Sequence, residues 1–243
     1  MNKHQQNGID YLLHGFSLIF KKELRIYIIM PILINILLFI ALFTTGIHFF
    51  HHFTHWFSNL LPHWLHWLQW LLWIVFGLFI ITLYGYTFTL LTNLIGTPFN
   101  SFLSEKVEQY LIGNKSTASS TWQSTLASIP RSLGRQLQLI YYYFPRAIVL
   151  FALSFVPIIH VFAVIAWFLF TAWMLTIQYI DYPMDNNHIP FLQLRQHLQQ
   201  KKLLSLSFGI TALLLIYIPI VNLLVMPAAV AGATEMWLNE YKR

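Results

Sequence analysis

The sequence predicts an all-α integral membrane protein, and three observations predict it. First, residues 26–104 form an unbroken run of 79 positions without Asp, Glu, Lys or Arg. A soluble helix must present a charged face to water, so a run of this length belongs in a bilayer. Second, composition is far from that of a soluble domain: 57% of the 243 residues are hydrophobic, 17% are aromatic and only 9% are charged. Third, the basic residues gather at the flanks of the apolar segments, where they set membrane orientation. The expected architecture is two long transmembrane helices, two partly penetrating (re-entrant) helical hairpins, and a charged amphipathic helical hairpin on the cytoplasmic side. Residues 1–243 are read as a single membrane domain.

The absence of cysteine excludes disulfides, thiol catalysis and Cys-ligated metals. The net charge of +6 is spread along span flanks rather than gathered on a soluble fold, which argues against nucleic acid as a partner. Residues 1–10 are polar and no small-residue cleavage site follows a short apolar core, so the first span is expected to act as its own insertion signal.

In chain order, Ile9, Leu12, Leu13, Phe16, Ile19 and Phe20 recur at helical spacing behind Asn7, a possible cap. This helix, residues 7–20, is too short to cross and is expected to lie along the interface. Residues 26–50 supply 25 positions for the first span, against the roughly 20 needed to cross about 30 Å of hydrocarbon. Residues 67–95 supply the second. The linker between them is rich in His and Trp, and Trp56, Trp64, Trp67, Trp70 and Trp73 read as an aromatic belt.

Two amphipathic helices are expected next, over 98–112 and 121–143, joined by a Ser/Thr-rich turn. Two further charge-free stretches follow, residues 147–180 and 203–234, the second predicting a hairpin over 203–238. Each carries a central proline, Pro157 in SFVPIIHV and Pro219 in IYIPIVNL, which reads as a weak internal repeat. Arg131, Arg135 and Arg146 precede the first stretch, Arg195, Lys201 and Lys202 separate the two, and Lys242 and Arg243 end the chain. Basic residues on both flanks of both stretches place each entry and exit on one side, so each stretch should bend at its proline and return. Two tilted single spans are the alternative.

Four clusters carry candidate chemistry. Lys21, Lys22, Glu23, Leu24 and Arg25 stand where the interfacial helix meets the first span. Free helix-terminal N–H groups and a planar guanidinium there would suit an oxyanion; ordinary basic flanking is the other reading. Glu105 and Glu108 with Arg131, Arg135 and Arg146 form either a buried ion-pair network lining a pathway or a solvated face. His48, His51, His52 and His55, at i, i+3, i+4 and i+7, with His63 and His66 beyond, permit a divalent metal site, but no carboxylate or cysteine in the linker completes one. Asp181 to Asn187 offers two carboxylates for acid–base work, or a turn with caps. No phosphate-cradling glycine loop and no nucleophile constellation is present, so neither an ATP-driven pump nor an enzyme is expected, and no cofactor.

Several blocks in order, LRIYIIMPILIN, LIGTPFNSFLSEKVE, YYYFPRAIVLFALSFVPIIH, AWFLFTAWMLTIQYIDYPMDNNHIPF and VMPAAVAGATEMW, resemble the CysZ family of bacterial sulfate permeases over nearly the whole chain. The resemblance implies a multi-pass protein of the bacterial inner membrane that takes up sulfate, with related oxyanions such as sulfite, for assimilation and cysteine biosynthesis. It also implies long helices with partly penetrating hairpins, and sulfate held by a Gly-Leu-Arg-like motif at the start of the first long helix. The matching positions here are Glu23, Leu24 and Arg25, beside Lys22. Glu replaces the Gly, so at that position only its backbone N–H suits an anion. A homo-oligomer is expected, because shallow hairpins expose irregular backbone that a second subunit can cover. A divalent metal-ion transporter built on the His-rich linker, or a membrane scaffold without a pathway, are the readings from other classes.

Overall fold

The computed structural model describes residues 7–60, 69–113 and 122–242. Eight helices are found among them: α1 (Gly8–Ile19), α2 (Ile26–Leu60), α3 (Gln69–Ile112), α4 (Trp122–Ser154), α5 (His160–Asn186), α6 (Phe191–Gln200), α7 (Lys202–Ile216) and α8 (Pro219–Glu240). Among the described residues four segments are long and apolar enough to cross a membrane: Ile26–Phe53, Gly134–Ser154, His160–Asn186 and Val221–Glu240.

Helix α2 runs to Leu60, beyond the expected end at residue 50, and two expected helix boundaries are absent. The second apolar run and the helix expected over 98–112 form one helix, α3, which continues through Pro98. Likewise, the amphipathic segment over 121–143 runs without a break into the apolar stretch that follows, giving the 33-residue α4. A helix loses one hydrogen bond at an internal proline, and the adjoining turns of a long helix are enough to carry it through.

The described chain divides into two compact units, one of residues 1–28 and 100–243, the other of 29–99. In the smaller, α2 and α3 meet through aromatic side chains in antiparallel order: Phe39 against Phe88, Phe50 against Phe76, and Phe53 stacked on Phe76 at 3.8 Å. Phe39, Phe50 and Phe88 also line an apolar cavity of about 580 Å³ bordered by Gly46, Gly77 and Tyr84.

The larger unit is built around α8. Ala228, Ala229, Val230, Ala231, Ala233, Thr234 and Met236 are all fully enclosed, so the C-terminal half of this helix is buried all round, while Leu223 near its start is exposed. Helix α1 packs against α8 and α7. Small residues make that packing close: a Cβ on Gly15 would stand 2.1 Å from the Ala228 carbonyl oxygen, and one on Gly232 would stand 2.3 Å from that of Tyr11. Tyr11, Leu12, Leu18 and Ile19 are buried, whereas Ile9, Leu13 and Phe20 remain exposed. The apolar stripe of α1 therefore serves two surroundings, a protein core and an outer face.

Between α4 and α5 the helix breaks over residues 155–159, around Pro157, and between α7 and α8 it breaks at residues 217–218, before Pro219. The flanking helices fold back on each other. Tyr143 stacks on Phe170, the Trp173 indole donates to the Tyr142 hydroxyl at 3.2 Å, and the Trp167 indole donates to Ser154 Oγ at 3.3 Å. At the open end of α7–α8, Lys201 pairs with Glu240 and lies over the Tyr241 ring.

Candidate functional site: the basic turn before α2 and the charged groups of the larger unit

The turn joining α1 to α2 is held by one carbonyl. Lys21 O accepts from the Leu24 amide at 3.0 Å and from the Arg25 amide at 3.1 Å, while the Tyr27 and Ile28 amides bond back to Leu24 and Arg25. The open fan of N–H groups expected at this helix start is therefore turned inward, since these amides already have acceptors. Leu24 is buried at 1% exposure and pins the turn to the core, so it positions the site through its side chain and its amide is unavailable to a ligand. Lys22, Glu23 and Arg25 project to the exposed side. Among the described residues no carboxylate pairs with Arg25, and the Lys22 and Glu23 amides have no backbone acceptor. What the turn presents is a guanidinium fork and a lysine beside two amides, with the Glu23 carboxylate as the one opposing charge.

The acidic and basic residues of the second cluster are partnered differently from the pairing the sequence suggests. Glu105 Oε1 accepts from Gln109 Nε2 at 3.0 Å. Glu108 pairs with Lys242 and accepts from Asn187 Nδ2 at 2.9 Å. Arg135 is buried and takes its acids from the end of α5: its Nε donates to Asp181 Oδ1 at 2.8 Å and lies 3.8 Å from Asp185 Oδ1. Its Nη1 donates to the Ile189 carbonyl at 2.5 Å. Nη2 also lies 2.6 Å from Asp181 Oδ1, an ion contact whose angle is not that of a hydrogen bond. The stretch that reads as a turn with caps thus supplies the counter-charge for α4. Arg146 donates to the Tyr142 carbonyl at 2.7 Å and stacks on the Tyr142 ring at 3.7 Å, without an acid among the described residues. The Arg131 side chain lies outside the described residues.

Sequence reasoning missed a polar seam between α8 and its neighbours. Glu235, 7% exposed, meets His14 Nδ1 at 2.6 Å. The Tyr11 hydroxyl donates to Glu240 Oε1 at 2.8 Å, and Ser104 and Thr234 share a buried hydrogen bond of 2.9 Å. Burial, with the Glu240 carboxylate beside it, pushes the Tyr11 phenol well above its ordinary range, and burial pushes Tyr241 up to about 12, so both remain donors at neutral pH. Residues so far apart in sequence leave no spacing pattern by which to find them.

No group of three or more His, Asp or Glu side chains that could hold a metal ion occurs among the described residues. The His55 side chain, and His63 and His66 altogether, fall outside those residues.

Comparison with known proteins agrees with this architecture. The chain is 44% identical over 238 residues to the Sulfate transporter CysZ of Pseudomonas fluorescens strain SBW25, covering 96% of this chain and 92% of that protein. It is 42% identical to the protein of the same name from strain Pf0-1, covering 96% and 94%. To the Sulfate transporter CysZ of Vibrio parahaemolyticus it is 40% identical, covering 100% of this chain and 98% of that one. The family described as Sulfate transporter CysZ/Etoposide-induced protein 2.4 matches residues 11–227. With four candidate spans among its described residues, and matched by these relatives over 96–100% of its length, the chain belongs to the Sulfate transporter CysZ/Etoposide-induced protein 2.4 family.

Proposed function

We infer that this chain carries sulfate across a bacterial inner membrane, supplying the anion for assimilation and cysteine biosynthesis. The observation that carries this reading is identity of 40–44% over 96–100% of the chain to proteins named for sulfate transport. It is a transporter and not an enzyme.

In the mechanism we propose, sulfate is captured at the turn before α2. Arg25 supplies a planar fork matched to two sulfate oxygens, Lys22 adds a second positive charge, and the Glu23 amide contributes a donor. Leu24 fixes where that fork stands. Exposure of the turn keeps the contacts replaceable, so capture and release can both be fast. The anion then passes a polar interior near Glu105, Glu108, Arg131 and Arg135. Pairing Glu108 with Lys242 and Arg135 with Asp181 moderates the charge an anion meets there.

The finer topology belongs to the same proposal. Helices α2 and α3 span the bilayer, and α4–α5 and α7–α8 are hairpins that enter and leave on the cytoplasmic side. The 15 residues of α7 rise about 22 Å, short of about 30 Å of hydrocarbon, so this arm limits the depth of its hairpin. Basic residues at both flanks of each hairpin support the same-side return. Assembly as a homo-oligomer would cover the irregular backbone at the proline turns.

The test is sulfate uptake into liposomes holding purified protein, comparing wild type with Arg25→Ala and Arg25→Lys. Flux that falls at least tenfold in Arg25→Ala and only partly recovers in Arg25→Lys supports capture by a guanidinium fork. Equal flux in all three removes the turn from the mechanism. Absence of wild-type flux overturns transport by this chain alone.

A further inference from the structure

The charge reading places Arg146 in a network with glutamates, yet among the described residues it has no carboxylate and shares its ring partner with a second arginine. Arg195, from α6, lies over the same Tyr142 ring at 4.3 Å. It too has no carboxylate among the described residues, and its Nε is buried without a hydrogen-bond partner. Tyr142 is itself buried, held by the Trp173 indole on its hydroxyl and by Phe191 edge-on at 6.1 Å. One aromatic ring thus carries two guanidinia, and neither has a carboxylate at ion-pair distance among the described residues. Like charges so placed repel, and an anion bridging both relieves the repulsion.

The surroundings decide which anion. Arg146, Arg195 and Tyr142 border an open groove of about 990 Å³, whose other walls include Ile140, Tyr141, Phe144 and Ile148. Those four side chains are 49–82% exposed, on a helix segment (Gly134–Ser154) apolar enough to lie in a membrane. A free inorganic oxyanion has no use for such walls. A phospholipid does: its headgroup phosphate meets the arginines while its acyl chains lie on the aliphatic and aromatic face. Basic pockets between helices at the cytoplasmic membrane surface are suited to acidic lipid headgroups.

We propose that Tyr142, Arg146 and Arg195 form a binding site for an anionic glycerophospholipid, with the two guanidinia on its phosphate. This site is separate from the basic turn before α2 and does not depend on the transport reading. Occupation would join α4 to α6 through one headgroup.

The experiment is native mass spectrometry of the purified full-length protein titrated with phosphatidylglycerol or phosphatidylcholine in neutral detergent. Wild type is expected to retain phosphatidylglycerol in preference to phosphatidylcholine. Removing both charges in R146Q/R195Q is expected to weaken phosphatidylglycerol binding about thirtyfold, taking about fivefold per arginine near an acidic surface. Phosphatidylcholine binding is expected to stay the same, which also reports that the variant is folded. Equal retention of the two lipids by wild type overturns the proposal without recourse to any variant. Displacement of phosphatidylglycerol by millimolar inorganic sulfate or phosphate would assign the arginines to a free oxyanion and also overturn it.

Discussion

Replacing Gly15 with alanine tests the claim that α1 is a core helix. A Cβ at that position would stand 2.1 Å from the Ala228 carbonyl oxygen and 2.8 Å from the Gly232 amide nitrogen. Both obstacles are backbone, so no side chain can rotate aside. Carbon and oxygen in contact sit about 3.3 Å apart, so the two helices must separate locally by about 1.2 Å. A gap of that size removes half or more of the dispersion attraction across the contact. Overpacking of a tight core costs about 1–3 kcal/mol, and a backbone clash belongs at the upper end. For a chain of this size, 3 kcal/mol corresponds to a fall in Tm of about 6–12 °C. Thermal unfolding in detergent, followed by loss of the monodisperse peak on size exclusion, reads this directly. Gly77→Ala is the matched control, because a Cβ there meets nothing within 4 Å and alanine favours the helix by about 0.5–1 kcal/mol. If Gly15→Ala melts within 3 °C of wild type, α1 does not pack on α8 at backbone contact and the account of the larger unit is wrong.

Two further predictions concern charge. Arg135→Gln leaves Asp181 enclosed without its partner and is expected to destabilise by about 3 kcal/mol, with R135Q/D181N recovering most of the loss, as measured by Tm in the same assay; a double variant no better than R135Q alone would show that the pair is not the cause. Glu23→Gly removes the single opposing charge at the basic turn and is expected to tighten sulfate binding by about fivefold at most, in low salt only. Isothermal titration at two ionic strengths checks it, and an unchanged affinity at low salt would place Glu23 away from the anion.

The fold class can be read from the sequence because it rests on composition over long windows. Seventy-nine residues without a charge fix a membrane environment whatever the packing. Pro157 and Pro219 sit at or beside the two breaks in the apolar stretches. Pro98 does not break α3, since an internal proline constrains only its own turn and cannot by itself say whether the neighbouring turns will hold. The packing of α1 on α8 was illegible because it depends on Gly15, Ala228 and Gly232 facing one another across more than 200 residues, and no local period marks such a meeting. The basic turn was found from residue type alone, but its hydrogen bonds were not: Lys21 O takes the Leu24 and Arg25 amides that the sequence leaves open. Likewise, Arg135 could be recognised as a charge needing a partner, whereas the choice of Asp181 over a glutamate follows from how α5 lies against α4.

The embrace of α1 by α8 also sets an order of events in the cell. Tyr11 meets Glu240 across 229 residues and Gly8 meets Ser207 across 199, so α1 finds its partners only when the last two helices have been made. At 5–20 residues per second, completing that closure takes roughly 11 to 46 s of synthesis. During this interval α1 has an apolar stripe and nowhere in the protein to put it. The membrane surface is an apolar refuge in reach of a nascent chain, and an amphipathic helix of this length can rest there. Biogenesis would then end with a transfer of α1 from lipid to protein, carrying the Arg25 turn into place as the final act of assembly.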